Sequence, residues 1–105
     1  MADNAVTISR ETQGERGRYV ARTADSQAEA ELTWYRDGEA QDDEVRVADH
    51  TFTPPELRGR GIAKELVEAL IADAREEGFR IVPACSYVAQ AFRDHPEWSE
   101  LKAPL

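Results

Sequence analysis

The chain is short of the residues from which many functional sites are made. It has one cysteine, Cys85, so no disulfide forms within it and a reducing, cytoplasmic location is the expectation. It has two histidines, His50 and His95, and with a single cysteine these leave no metal-ligand spacing. No apolar run approaches the ~20 residues that a spanning helix needs. The start, MADNAVTISRETQ, lacks the basic-then-apolar order of a signal peptide, and neither end carries a lipidation signal. Positive charge is scarce as well. Lysine and arginine number 13 against 21 acidic residues, a net charge of -8, which argues against nucleic acid or an anionic membrane as partner and suits a cationic one. There is no repeat, no low-complexity tract and no recognised Ser-His-Asp arrangement.

What is present describes one folded domain over residues 1–105, with 41% hydrophobic residues and a modest core. Residues 5–10 and 17–23 read as strands. Residues 28–35, AEAELTWY, alternate cleanly, with Ala28, Ala30, Leu32 and Trp34 on one face of a half-buried strand. A polar loop over 36–44 turns at Asp37-Gly38, and residues 45–53 form the next strand, ended by Pro54 and Pro55. Apolar residues from Ile62 to Ala74 share one face of a helix over 61–77, with Gly78 at its end. A short strand follows at 79–83. A second helix over 86–95 has Tyr87, Val88, Ala91 and Phe92 as its apolar side, and Trp98 and Leu101 are anchors for the tail. The order strand, helix, strand makes a right-handed β-α-β unit with parallel strands, joined to antiparallel hairpins. The fold class is α/β (α+β), with a mixed, mostly antiparallel sheet.

Arg58-Gly59-Arg60-Gly61 stands at the mouth of the best helix. A helix N-terminus leaves backbone N–H groups unpaired, glycines let an anion come close to them, and arginines add forked donors. The stretch therefore has the chemistry of a phosphate cradle. It is neither a P-loop nor a dinucleotide fingerprint, since Lys64 stands where the latter needs its third glycine. The plainer reading is an exposed strand-to-helix turn.

The segment Arg58 to Ala63, RGRGIA, resembles the R/Q-x-x-G-x-G/A acetyl-coenzyme A signature of the GNAT N-acetyltransferase superfamily. With His50-Thr51 before it, and VPACSYV through HPEW over 82–98 after it, the chain is similar to a small GNAT-like subgroup from Gly17 to Leu101. The resemblance implies that the backbone of Arg58, Gly59, Arg60, Gly61, Ile62 and Ala63 holds the coenzyme pyrophosphate. It also implies that Phe52 and Thr53 pair with the pantetheine arm, and that strands 45–53 and 79–83 splay to admit the thioester. The implied activity is acetyl transfer from acetyl-coenzyme A to an amine. The alternatives are an acyl-coenzyme A-binding or sensing module and a protein-interaction domain. Residues 10–30 have no room for the helices that build an acceptor site in longer members, so the acceptor pocket is shallow, or is completed by a second subunit as a homodimer or by a bound protein.

Acetyl transfer needs a base, oxyanion donors and protection of the leaving thiolate. His50 is the candidate base, with a structural histidine tied to a carboxylate such as Asp49, or a surface strand residue, as the other readings; Asp49 and Glu44 are the alternative bases, though strand alternation places Asp49 on the face opposite His50. Cys85, after a strand and near a helix start, either lines the thioester site, accepts the acetyl group, or is a small buried hydrophobe. Tyr87 either protonates the departing thiolate or packs beside Phe92. His95 reads as a cation at a helix C-terminus.

Overall fold

A computed structural model describes residues 5–37 and 44–103. Gly38 and the rest of the 38–43 segment, where the sequence places a turn, lie outside the described residues. The chain runs β1 (Val6–Gln13), β2 (Arg16–Thr23), β3 (Ala30–Arg36), β4 (Val45–Phe52), α1 (Ile62–Glu77), β5 (Arg80–Pro83) and α2 (Ser86–Asp94). Short 3₁₀ turns at Pro55–Leu57 and Pro96–Leu101 complete it. The five strands form one sheet in the order β1-β2-β3-β4-β5. The first three pairings are antiparallel and β4 pairs with β5 in parallel, as the β-α-β reading requires.

β1 is longer than the sequence suggested. It continues to Gln13 because Gly14, at φ 63°, and Glu15 close a two-residue hairpin onto Arg16. That hairpin stacks Gly17 opposite Trp34, and a Cβ on Gly17 would sit 2.2 Å from the indole ring. Glycine is needed there for close approach.

One face of the sheet carries the core. Ala30, Leu32 and Trp34 of β3 alternate inward and meet Leu66, Val67, Leu70, Ile71 and Ala74 of α1. α2 adds Val88 and Phe92 to the same core, and Trp98 and Leu101 close it from the tail. Tyr87 does not join them and stands exposed. It is five residues from Phe92, about 140° around an α-helix, so the two do not share a face. The tail also shields the outer edge of β5, where Ala103 N–H donates to the Ile81 carbonyl at 2.8 Å.

Two charged groups seal this core. Asp73 of α1 accepts from the Tyr19 hydroxyl at 2.7 Å and from Arg10 through two nitrogens at 2.7 and 3.0 Å. Arg46, almost fully buried, lies 4.1 Å from the Trp34 ring and 3.9 Å from the Phe79 ring, and bonds Glu44 and Glu77. Its planar cation stacks where an ammonium would not. Among the described residues no helix is long and apolar enough to cross a membrane.

Two outcomes follow. Gly17→Ala forces the Trp34 ring aside and lowers unfolding free energy by about 1–3 kcal/mol, read from urea midpoints. Burial pushes the Asp73 carboxyl up, but the bonds from Arg10 and Tyr19 outweigh it and hold its pKa below the ordinary value. A depressed carboxylate stabilises the fold above its unfolded pKa of about 3.9, and that stability is lost as pH falls through the folded value. Asp73→Asn therefore lowers stability by about 1–3 kcal/mol at neutral pH, and the deficit closes on acidification below about pH 4 in the same assay.

Candidate functional site

The site begins where β4 and β5 part. Their parallel ladder covers Val45 to Ala48, paired with Arg80 to Pro83. The Ala48 carbonyl then accepts from both Ala84 N–H at 3.1 Å and Cys85 N–H at 2.9 Å, and β5 ends. On its other side β4 has a bulge: Thr33 pairs with His50 while Trp34 pairs with Ala48, leaving Asp49 as the extra residue. The bulge overturns simple alternation. Asp49 accepts from the Thr33 hydroxyl at 2.7 Å and so lies on the same face as His50, not the opposite one. From Asp49 to Phe52, β4 has no strand partner on the β5 side among the described residues.

The two sides of this gap carry different groups. His50 is exposed on the face away from α1, with Nε2 3.9 Å from Glu31, so its nearest carboxylate is Glu31 and not Asp49. Phe52 pairs with Glu31 and is exposed on the same side. Thr51 points toward the core side, where its hydroxyl lies 3.5 Å from the Cys85 sulfur. Cys85 is partly buried at the N-cap of α2. Burial pushes its thiol up, but the Thr51 hydroxyl and the backbone N–H groups of Val88, Tyr87 and Thr51 outweigh that, and its pKa lies below the ordinary cysteine value. The Tyr87 phenol is raised by burial and by the charge of Glu68, so it keeps its proton at neutral pH.

The loop before α1 is a glycine turn that leads into an uncapped helix start. Leu57 is fully buried at one end and Ile62 at the other. Between them Gly59 and Gly61 adopt φ 79° and 76°, with open space where a Cβ would stand. Gly61 is the N-cap of α1 and supplies no side-chain cap, so the donors of the first turn face outward. A cavity of about 250 Å³ opens there, lined by Thr53, Arg58, Gly59, Gly61, Ile62, Ala63, Lys64 and Tyr87, with Leu57 behind. Most of the expected coenzyme residues thus meet in one place, and Tyr87 joins them from α2. Phe52, His50 and Cys85 stand outside this cavity, along the gap. The Arg60 side chain also stands outside it, bonded to Asp25 at 3.1 Å. Lys64, which the sequence places on the polar face of this helix and at the position of the fingerprint's third glycine, also lines the cavity, a place the motif alone does not assign to it.

His95 caps the end of α2, stacks on Trp98 at 4.1 Å and bonds Glu97 at 3.0 Å. Among the described residues no group of three histidine, cysteine or acidic side chains is arranged to hold a metal.

Comparison with known proteins bears on this geometry. The family described as GCN5-related N-acetyl-transferase matches residues 18–101. The chain also superimposes on the crystal structure of a ribosomal-protein-alanine N-acetyltransferase from Brucella melitensis biovar Abortus 2308. The TM-score is 0.65 and the identity 17%, over 96% of this chain and 93% of that one, so the likeness is one of fold.

The Cys85 environment makes a direct prediction. Alkylation of the folded protein by iodoacetamide, followed against pH, has a midpoint below the ~8.5 of a free cysteine. Thr51→Val moves that midpoint upward.

Proposed function

Because the chain belongs to the GCN5-related N-acetyltransferase family, we propose that it transfers the acetyl group of acetyl-coenzyme A to an amine. The observation that carries this reading is the uncapped N-terminus of α1, preceded by two left-handed glycines and opening into a cavity that Tyr87 shares. The residues present fit a pyrophosphate. Backbone N–H groups from Arg58 to Ala63 hold it, and the Arg58 and Lys64 side chains flank it. The edge of β4 at Phe52, continued by Thr53, receives the pantetheine arm as an added strand would be received. The thioester then lies in the gap beyond Ala48.

From the face carrying His50, the acceptor ammonium gives a proton to the imidazole, and the free amine attacks the carbonyl carbon. The new C–N bond forms, the C–S bond breaks, the nitrogen releases its second proton to solvent, and the departing sulfur takes the Tyr87 proton. The phenol regains a proton from solvent. Cys85 lines the sulfur side of the gap. Its lowered pKa favours a second route to the same product, in which the Cys85 thiolate takes the acetyl group, coenzyme A leaves as a thiol, and the amine then displaces Cys85. The acceptor class is a cationic amine, in keeping with the net charge of -8.

The first experiment is incubation of the purified protein with acetyl-coenzyme A and no acceptor, followed by calorimetry and intact-mass measurement. Binding without an adduct, with transfer on later addition of amines, supports direct attack. A stable adduct on Cys85 brings the relay forward. Binding with no transfer to any amine leaves a coenzyme-binding module, and no binding removes both. Arg58→Glu with Lys64→Glu weakens coenzyme binding by about tenfold or more. His50→Ala lowers kcat about 100-fold with coenzyme affinity unchanged; an unaltered kcat removes His50 as the base.

A further inference from the structure

The turn that meets the coenzyme in the proposed reading is four residues long, from Arg58 to Gly61. Its two glycines make no packing contact that a side chain would share. Arg58 is tied only locally, its Nε donating to the Thr53 carbonyl at 3.0 Å. The long-range side-chain tie is Arg60 to Asp25, 35 positions earlier, in the turn between β2 and β3. Arg60 turns toward that carboxylate, while Arg58, Gly59 and Gly61 line the cavity and Arg60 does not. The bond uses one Arg60 nitrogen, and it, together with the Thr23 side chain, holds Asp25 down to about 2, so the carboxylate is charged at neutral pH. One cation of the region is thus tied to the sheet, while two others, Arg58 and Lys64, line the cavity, Lys64 also 4.0 Å from Glu68.

We propose that Asp25 is a positioning residue for the coenzyme loop: through Arg60 it fixes the glycine turn from the β2–β3 turn, and the cations that meet the phosphates are Arg58 and Lys64. The physical logic is preorganisation. Glycine in the left-handed region has many other conformations open to it, and a tie made before the ligand arrives removes an ordering cost from binding. The Arg60 side chain, by this reasoning, acts on affinity without touching the ligand. The proposal rests on the coenzyme reading for its functional half and on the ligand-free fold for its structural half, and two readouts separate them.

The first readout is hydrogen exchange of the 58–64 amides in ligand-free protein. Asp25→Ala and Arg60→Ala each speed exchange there, about fivefold or more, and the charge swap Asp25→Arg with Arg60→Asp restores protection. Global unfolding changes little, since both side chains are partly exposed. The second readout is calorimetric affinity for coenzyme A. The two single alanine variants weaken binding alike, by about three- to tenfold, and the double alanine variant is no weaker than either. Unchanged exchange in Asp25→Ala overturns the proposal. So does an affinity that holds or rises in Asp25→Ala while falling in Arg60→Ala, because Arg60 is then a direct phosphate ligand. A wild-type chain that does not bind coenzyme A overturns the coenzyme reading and the functional half with it. The exchange rates in that case still decide whether the ion pair orders the turn.

Discussion

The parting of β4 from β5 after Ala48 is the constraint on which the site depends. A parallel pair that continued to Phe52 would satisfy the outer edge of β4 and leave nothing to recognise. Instead one carbonyl takes two N–H groups, the second strand stops at Pro83, and a bulge at Asp49 turns the first strand. The bulge places Asp49 and His50 on one face and Thr51 on the other. That is why Thr51 reaches Cys85 while His50 looks out past Glu31. A sheet with this gap presents two chemically different sides to whatever lies in it, a neutral hydroxyl-thiol pair on one and an imidazole among carboxylates on the other.

The core holds α1 at two points. Asp73 ties it to β1 and β2, and at its far end Glu77 accepts from Arg46 at 3.3 Å, the same guanidinium that stacks on Trp34 and Phe79. These contacts sit away from the helix N-terminus, whose first turn carries no cap. The helix is therefore anchored at its middle and its end, and its start carries no side-chain cap. α2 begins at the gap with Cys85 as its N-cap, so two helix starts converge on the same region.

The strand order, the β-α-β unit and both helices were legible because each rests on a local period. The alternation in 28–35 and the stripe from Ile62 to Ala74 are strong patterns that burial follows closely. The glycine loop was legible for the same reason, since its chemistry lies in adjacent residues. The failures are non-local. The bulge that puts Asp49 beside His50 depends on how Thr33 and Trp34 register with β4, and no periodicity within 45–53 announces it. The first hairpin was expected, but its tight turn was not, because Gly14 and Gly17 stand three apart, and only their opposed partners show that one turns the chain and the other makes room for Trp34. The exposure of Tyr87 was readable from helical geometry, since Val88 and Phe92 are the pair four apart. The tie from Asp25 to Arg60 spans 35 positions and had no signal at all.

The bare first turn of α1 has a thermodynamic consequence. Its outward N–H groups are the least compensated donors of the helix, so the turn is the part of α1 most ready to fray. An anion that binds these donors only in the folded chain adds its own binding free energy to the stability of the fold, growing with the logarithm of its concentration. Occupancy and folding are thus two readings of one equilibrium. A cell that depletes such an anion would lower the fraction of chains with a filled cradle and, with it, the resistance of the population as a whole to unfolding.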